Sequence, residues 1–428
     1  MNIQDIHNLF LQCSSLSIDT RKIEKNSMFF AIKGENFDAN TFAKEALELG
    51  ALFVVIDNES YFIDKRTILV ENSLHILQEL AKFHRSYLAL PIVALTGSNG
   101  KTTTKELINV VLSKKFKTKA TVGNLNNHIG VPLTLLSFTK ETEIGIVEMG
   151  ANHQKEIEFL CQIAQPDFGY ITNFGKAHLE GFGGVEGVIA GKSEMYQYLA
   201  ANQKTVFVNL EDTIQVEKSK EIKSFTFGVK KENANLNIQE ITANPFVTVS
   251  YNEFKIESHL IGLYNANNIN AAVAIGKYFE VNESDIKDAI ENYIPANNRS
   301  QMMQKGSNEI ILDAYNANPS SMAVAITNFL QLDKGNKIMI LGDMFELGEE
   351  SLYEHKVIVD SLASQEQSLC FLIGKSFFAN QESKGNIKFF ETFDAFADFL
   401  KTFKFTSNTI LIKGSRGMAL ERTLEYIS

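Results

Sequence analysis

The chain has 428 residues, 44% of them hydrophobic and 21% charged, with a formal net charge of −10 at neutral pH. That length suits two to four domains, each with its own core, and the acidic balance argues against a general binder of nucleic acid or anionic membranes, which reward basic surface. No run of 18 apolar residues occurs and no basic leader opens the chain, so membrane insertion is not expected. Three scattered cysteines, Cys13, Cys161 and Cys370, form neither a metal spacing nor an even disulfide set and suit a reducing cytosol.

Residues 1–87 read as a small α/β unit. Short strands are expected over 28–32, 52–56 and 67–70, helices over 41–49 and 74–83, and a linker over 86–91. Polar and basic groups from Ser17 to Lys22, including Thr20 and Arg21, precede the first of those strands. On pattern alone they are a solvated loop.

The next stretch is the most informative. Ile92-Val93-Ala94-Leu95 reads as a buried parallel strand, and Thr96-Gly97-Ser98-Asn99-Gly100-Lys101-Thr102-Thr103 follows it. A helix then begins, with apolar Leu107, Val110, Val111 and Leu112. Strand, glycine turn, Lys-Thr and helix in that order build a phosphate cradle. Loop N–H groups converge, and the helix start carries about half a positive charge. Leu95 stands where the longer form of the motif has Gly, so this is the shorter G-x-x-G-K-T variant. Lys101 would reach the outer phosphates, and the Thr102 hydroxyl would ligate magnesium.

Two later strands end in groups suited to the same crevice. One, over 143–147, runs into Glu148, and another, over 168–172, runs into a glycine-bracketed loop carrying His178. In a doubly wound sheet both should face Thr102. Lys192 lies in a helical stretch. A lysine in a partly desolvated site keeps more neutral amine, which reacts with carbon dioxide to give an anionic carbamate. Residues 205–258 read as short strands in hairpins (206–209, 224–227 and 246–250), and Asn265 to Ala272 opens an apolar helix.

The last third alternates strand and helix, with strands over 310–312, 338–341, 369–373, 388–390 and 409–412. That pattern implies a mostly parallel sheet covered on both faces. Asp313 ends the first of these strands, where an acidic residue commonly accepts ribose hydroxyls. Asn316 and Asn318 start a helix, Lys413 to Gly417 follows the last strand, and Arg299 is a candidate phosphate clamp near a hinge.

The Gly97–Thr103 loop, Glu148-Met149-Gly150, the His178 loop, Lys192, Asn265 to Asn268 and Arg299 occur here in the order found in the Mur ligases, the ATP-dependent amide-forming enzymes of peptidoglycan precursor synthesis, and the chain resembles that family along its whole length. The resemblance implies an α/β protein of three domains. They are a small N-terminal UDP-binding domain over 1–87, a central P-loop ATPase domain with a mostly parallel sheet over 88–297, and a C-terminal Rossmann-like domain over 298–428. It also implies ATP and two magnesium ions. Gly97, Ser98, Asn99, Gly100, Lys101, Thr102, Thr103, Asn268, Arg299 and Asp313 would bind ATP. Thr102, Glu148, His178 and a carbamylated Lys192 would serve the metals, with Lys101, Glu148, His178 and Lys192 as the catalytic set. Thr20, Arg21, Asn126 and Asn127 would meet a UDP-muramoyl-tripeptide, and Asn316, Asn318, Ser415 and Arg416 a D-alanyl-D-alanine dipeptide. The protein is expected to be a cytoplasmic monomer. Tyr264 stands where the family usually has His, and the Asp-Asn-Pro-Arg motif of members that add a dibasic third residue is absent, which favours the dipeptide-adding branch. Another ligase on this scaffold, one that extends folate with glutamate, or a nucleotide-gated regulator remain the alternatives.

Overall fold

The computed structural model describes residues 1–295, 298–365, 367–382 and 385–428. The expected boundary after residue 297 therefore abuts residues outside the described set. Three parallel or mostly parallel sheets follow one another along the chain, with a small antiparallel sheet beside the second.

The first sheet has four parallel strands in chain order, Leu16–Ser17, Met28–Phe30, Phe53–Ile56 and Thr67–Leu69. Its last helix departs from expectation. It runs over Ser73–Leu88, so the first residues of the expected linker are its final turn. Arg85 explains the extension. Its buried guanidinium donates to the carbonyls of Ala164 and Gln165 and to Asp167 Oδ2 at 2.7 Å, tying the helix to the second sheet. Asp167 also accepts from the Ile92 N–H, so one carboxylate fixes the helix and the start of the central strand together.

The second sheet has seven parallel strands, in spatial order Leu236–Ile238, Lys223–Val229, Thr205–Asn209, Phe168–Ile171, Ile92–Thr96, Ile144–Glu148 and Thr118–Ala120. Every residue of Ile92–Thr96 and Ile144–Glu148 is buried, as strands covered on both faces require. Here the hairpin reading of 205–258 fails in part. Thr205–Asn209 and Lys223–Val229 pair in parallel, joined through the short helix Thr213–Lys218. Only Glu240–Ala243, Phe246–Tyr251 and Phe254–Ile261 form antiparallel hairpins.

The third sheet runs Gln301–Lys305, Asn308–Asp313, Thr409–Lys413, Lys337–Gly342, Leu369–Ile373 and Ile387–Phe390, parallel except at its first edge. Among the described residues, no helix is long and apolar enough to cross a membrane.

Candidate active site

The central strand Ile92–Thr96 delivers the chain into a turn that only glycine tolerates at two points. Gly97 has φ +144°, and a Cβ there would overlap the Thr172 hydroxyl; Gly100 has φ +78°, and a Cβ would lie 2.6 Å from Asn268 Oδ1. Helix Lys101–Leu112 starts directly after Gly100, so its free N–H groups and dipole face the turn. The turn is clamped from the next strand. Asn99 N–H donates to Asn173 Oδ1 at 3.1 Å, and the Asn99 carbonyl accepts from Thr172 Oγ1 at 2.5 Å and Asn173 Nδ2 at 3.0 Å. Lys101 Nζ folds back onto the Gly97 carbonyl at 2.7 Å. Burial lowers its pKa, with Glu148 opposing and Arg299 adding to the effect.

Glu148 ends the neighbouring strand, paired with Leu95. Its Oε1 accepts from Thr102 Oγ1 at 3.2 Å and from Asn126 Nδ2 at 2.8 Å. Its Oε2 is buried without a hydrogen-bond partner, and Lys105 Nζ stands off at 3.9 Å. An unpartnered buried carboxylate oxygen costs more than the ~1–3 kcal/mol of a neutral orphan, and beside a phosphate loop it suits a hard divalent cation. No group of three or more His, Cys, Asp or Glu side chains gathers for a metal among the described residues. An ion here would complete its shell from phosphate and water, as Mg²⁺ does.

His178 lies in the loop after Phe168–Ile171, at φ +54°, with Nδ1 against the Glu346 carboxylate from the third sheet's side. That contact holds the Glu346 carboxyl below its usual range. Lys192, on helix Val185–Ala201, stands behind the cleft wall rather than in it. It is 1% exposed, donates to the Ala151 carbonyl at 3.3 Å, and sits 5.0 Å over the Phe182 ring. Burial pushes its pKa well below the ordinary value and Lys101 adds to this, while Glu156 and Glu194 oppose it.

The phosphate loop, Glu148 and His178 border one cleft of about 810 Å³, whose walls include Ser98 to Thr103, Asn126, Asn127, Glu148, Ala151, His178 and Asn268. The opposite wall comes from the third sheet: Arg299, Asp313, Asn316, Asn318 and Lys413. Arg299 stacks 3.6 Å over the Tyr315 ring. Asp313 receives the Ser300 N–H on one oxygen and Lys413 Nζ, at 2.5 Å, on the other. Asn318 caps helix Pro319–Gln331 and donates to Asn99 Oδ1 at 2.7 Å, which joins the two walls. Asn268 accepts from Thr104 Oγ1 and donates to Asn265 Oδ1. Asn126 spends its amide on Glu148, and Asn127 caps Gly130, although both line the cleft.

Four candidates lie elsewhere. Ser415 is buried, accepting the Phe345 N–H at 2.9 Å, and the chain turns outward there to carry Arg416 to Glu421 at 2.7 Å. Thr20 and Arg21 lie in a 3₁₀ turn between the first two strands of the first sheet, where the exposed Arg21 guanidinium forks the Asp19 carboxylate. The sequence reading noted the stretches that hold Lys413 and Asn173 but gave neither residue a role of its own. Each follows or ends a buried strand, and Lys413 is the register partner of Asp313, a placement that pattern alone could have suggested.

Family models match the chain in three segments: the Mur ligase family catalytic domain over 12–85, the Mur ligase middle domain over 95–276, and the Mur ligase glutamate ligase domain over 298–416. A Bacillus subtilis (strain 168) protein named UDP-N-acetylmuramoyl-tripeptide–D-alanyl-D-alanine ligase is 33% identical, with 96% of this chain and 92% of that one covered. MurF from Acinetobacter baumannii superposes with a TM-score of 0.86 at 31% identity, covering 99% of this chain and 97% of the other. The MurF ligase of Thermotoga maritima, solved with ADP, gives 0.84 at 26% identity, covering 97% of each chain.

Proposed function

The chain belongs to the Mur ligase family, and from that premise we propose that it joins D-alanyl-D-alanine to a UDP-N-acetylmuramoyl-tripeptide at the expense of ATP. The observation that carries this reading is the single cleft between a phosphate loop and the Arg299–Lys413 wall, large enough to hold a nucleotide with a reacting carboxyl group.

A peptide carboxylate is a poor electrophile, so ATP's γ-phosphoryl passes to it and an acyl phosphate forms. The dipeptide amine then attacks the carbonyl, and phosphate leaves from the tetrahedral adduct. Turn N–H groups and Lys101 hold the phosphates and offset charge on the group in transit. Arg299 and Asp313 take the nucleotide's phosphate and ribose ends, with Asn268 beside them. Glu148, through its unpartnered Oε2, and Thr102 would hold magnesium, with His178 on the same cleft and Lys192 behind Ala151. When bound, that ion would neutralise charge on the phosphates. Lys192 as a neutral amine would add carbon dioxide, releasing one proton and gaining a carboxylate; the Lys101 charge that disfavours its ammonium favours this anion. Water would hydrolyse the acyl phosphate, which the contact of the two walls through Asn99 and Asn318 helps to exclude.

In this reading residues 1–87 hold the UDP end through the Thr20–Arg21 surface, 88–297 the ATP, and 298–428 the incoming dipeptide beside Asn316 and Asn318. The protein works in the cytoplasm, consistent with three free thiols. The test is a coupled assay of ADP release with UDP-muramoyl-tripeptide, ATP and D-alanyl-D-alanine, each omitted in turn. Release should require all three. Release that ignores the dipeptide would overturn the assignment, and a response to another amino acid would move the chain to a different ligase of the family.

A further inference from the structure

The loop that carries His178 is gripped at three points by the third sheet's side of the molecule. Lys176 N–H donates to Ser320 Oγ at 2.8 Å, Lys176 Nζ pairs with the buried Glu354 carboxylate at 2.6 Å, and His178 Nδ1 meets Glu346. The last contact differs from the other two. Both partners are non-glycine residues in the left-handed region, at φ +54° and +62°, facing each other across the junction. Such backbone persists where surroundings over-determine it, and it clusters at functional sites. Glu346 is 55% exposed on its side chain, so the pair adds little to stability. What it fixes is the direction of the ring.

We propose that Glu346 is a positioning residue for His178. The carboxylate set against Nδ1 favours the proton on that nitrogen and leaves the Nε2 lone pair for the cleft that the ring lines, so that closure of the C-terminal side over the phosphate loop completes the cation site. A carboxylate behind a ligating histidine fixes its tautomer and raises its basicity, and losing that partner typically weakens metal binding about 10- to 100-fold. Sequence pattern gave no sign of this, because Glu346 lies in a turn 168 positions from its partner (346 less 178). The proposal rests on the cleft being a magnesium–nucleotide site.

The test is Mn²⁺ binding to the full chain in the presence of ADP, followed by electron paramagnetic resonance, so it needs no turnover. Glu346→Ala should weaken Mn²⁺ about tenfold while Glu346→Gln, which still accepts a hydrogen bond, keeps most of the affinity. Glu354→Ala breaks the neighbouring tie without touching the ring and should stay within about twofold of the parent. The double variant His178→Ala/Glu346→Ala should bind no more weakly than His178→Ala alone, since the two act as one unit. Unchanged Mn²⁺ affinity in Glu346→Ala, equal loss in Glu354→Ala, additive losses, or a parent that binds no Mn²⁺ with ADP would each overturn the proposal. Mn²⁺ binding that behaves as expected in a protein without dipeptide-dependent ADP release would instead overturn the ligase reading alone.

Discussion

On the phosphate-loop wall of the cleft, three functional groups are held from their own side: Lys101 by the Gly97 carbonyl, Glu148 by Thr102 and Asn126, Asn99 by Thr172 and Asn173. On the facing side, Asp313 and Lys413 hold each other on adjacent strands and Asn318 caps its own helix, but the Asn318 amide N–H and the Glu346 carboxylate reach across the junction to Asn99 and His178. One wall is held largely from within and the other is finished by docking. Variants on the first wall should therefore strike the chemistry directly, and variants on the second should act through the approach of the two halves.

The largest effect belongs to Lys101. It is the cation folded into the turn, and its removal takes away charge stabilisation from the group in transit. Lys101→Ala should lower kcat by at least about 100-fold while UDP-substrate affinity, measured by calorimetry, stays within about threefold. Loss of UDP-substrate affinity with turnover preserved would mean that the phosphate-loop wall does not carry the chemistry, and the contrast between the walls would fail.

Lys192 sharpens the same wall. Its amine is desolvated behind Ala151, and a carbamate there would supply an anionic oxygen in addition to that of Glu148. Lys192→Ala should lose most activity and regain part of it on addition of acetate or formate, which can occupy the space of the missing carboxylate. Full activity without additive would remove the carbamate from the mechanism.

How far each wall could be read in advance follows from the same difference. The Gly97–Thr103 turn is legible because consecutive residues carry all of its geometry: strand, two positive-φ glycines and helix start. Glu148 and His178 are legible because parallel strands deliver their ends to one edge of a sheet. The misread hairpins over 205–229 show the limit. Their crossover, Thr213–Lys218, has six residues and too little apolar periodicity to announce a helix, so adjacent strands look like a turn apart rather than parallel. The end of the first domain was obscured in another way, since what keeps the helix going through Leu88 is Arg85 bound to carbonyls about 80 residues onward. Contacts of that kind leave no local trace.

The smallest effect expected is at Arg416, and it tests the facing wall by its absence. The stretch from Lys413 to Gly417 looks like a binding loop, yet the structure splits it. Lys413 ends the buried strand and reaches Asp313 and the Asn316 carbonyl, whereas the N–H of Ser415 bonds to the Asp343 carbonyl and the chain turns away. Arg416 then points outward to Glu421, with 60% of its side chain exposed. Exposed pairs of this kind contribute about 0–1 kcal/mol. Arg416→Ala should accordingly leave kcat and the KM for D-alanyl-D-alanine within about twofold of the parent and shift Tm only slightly. A rise in the dipeptide KM of tenfold or more would show that Arg416 swings from Glu421 into the cleft when substrate binds, and would make this wall, too, a source of direct substrate contacts.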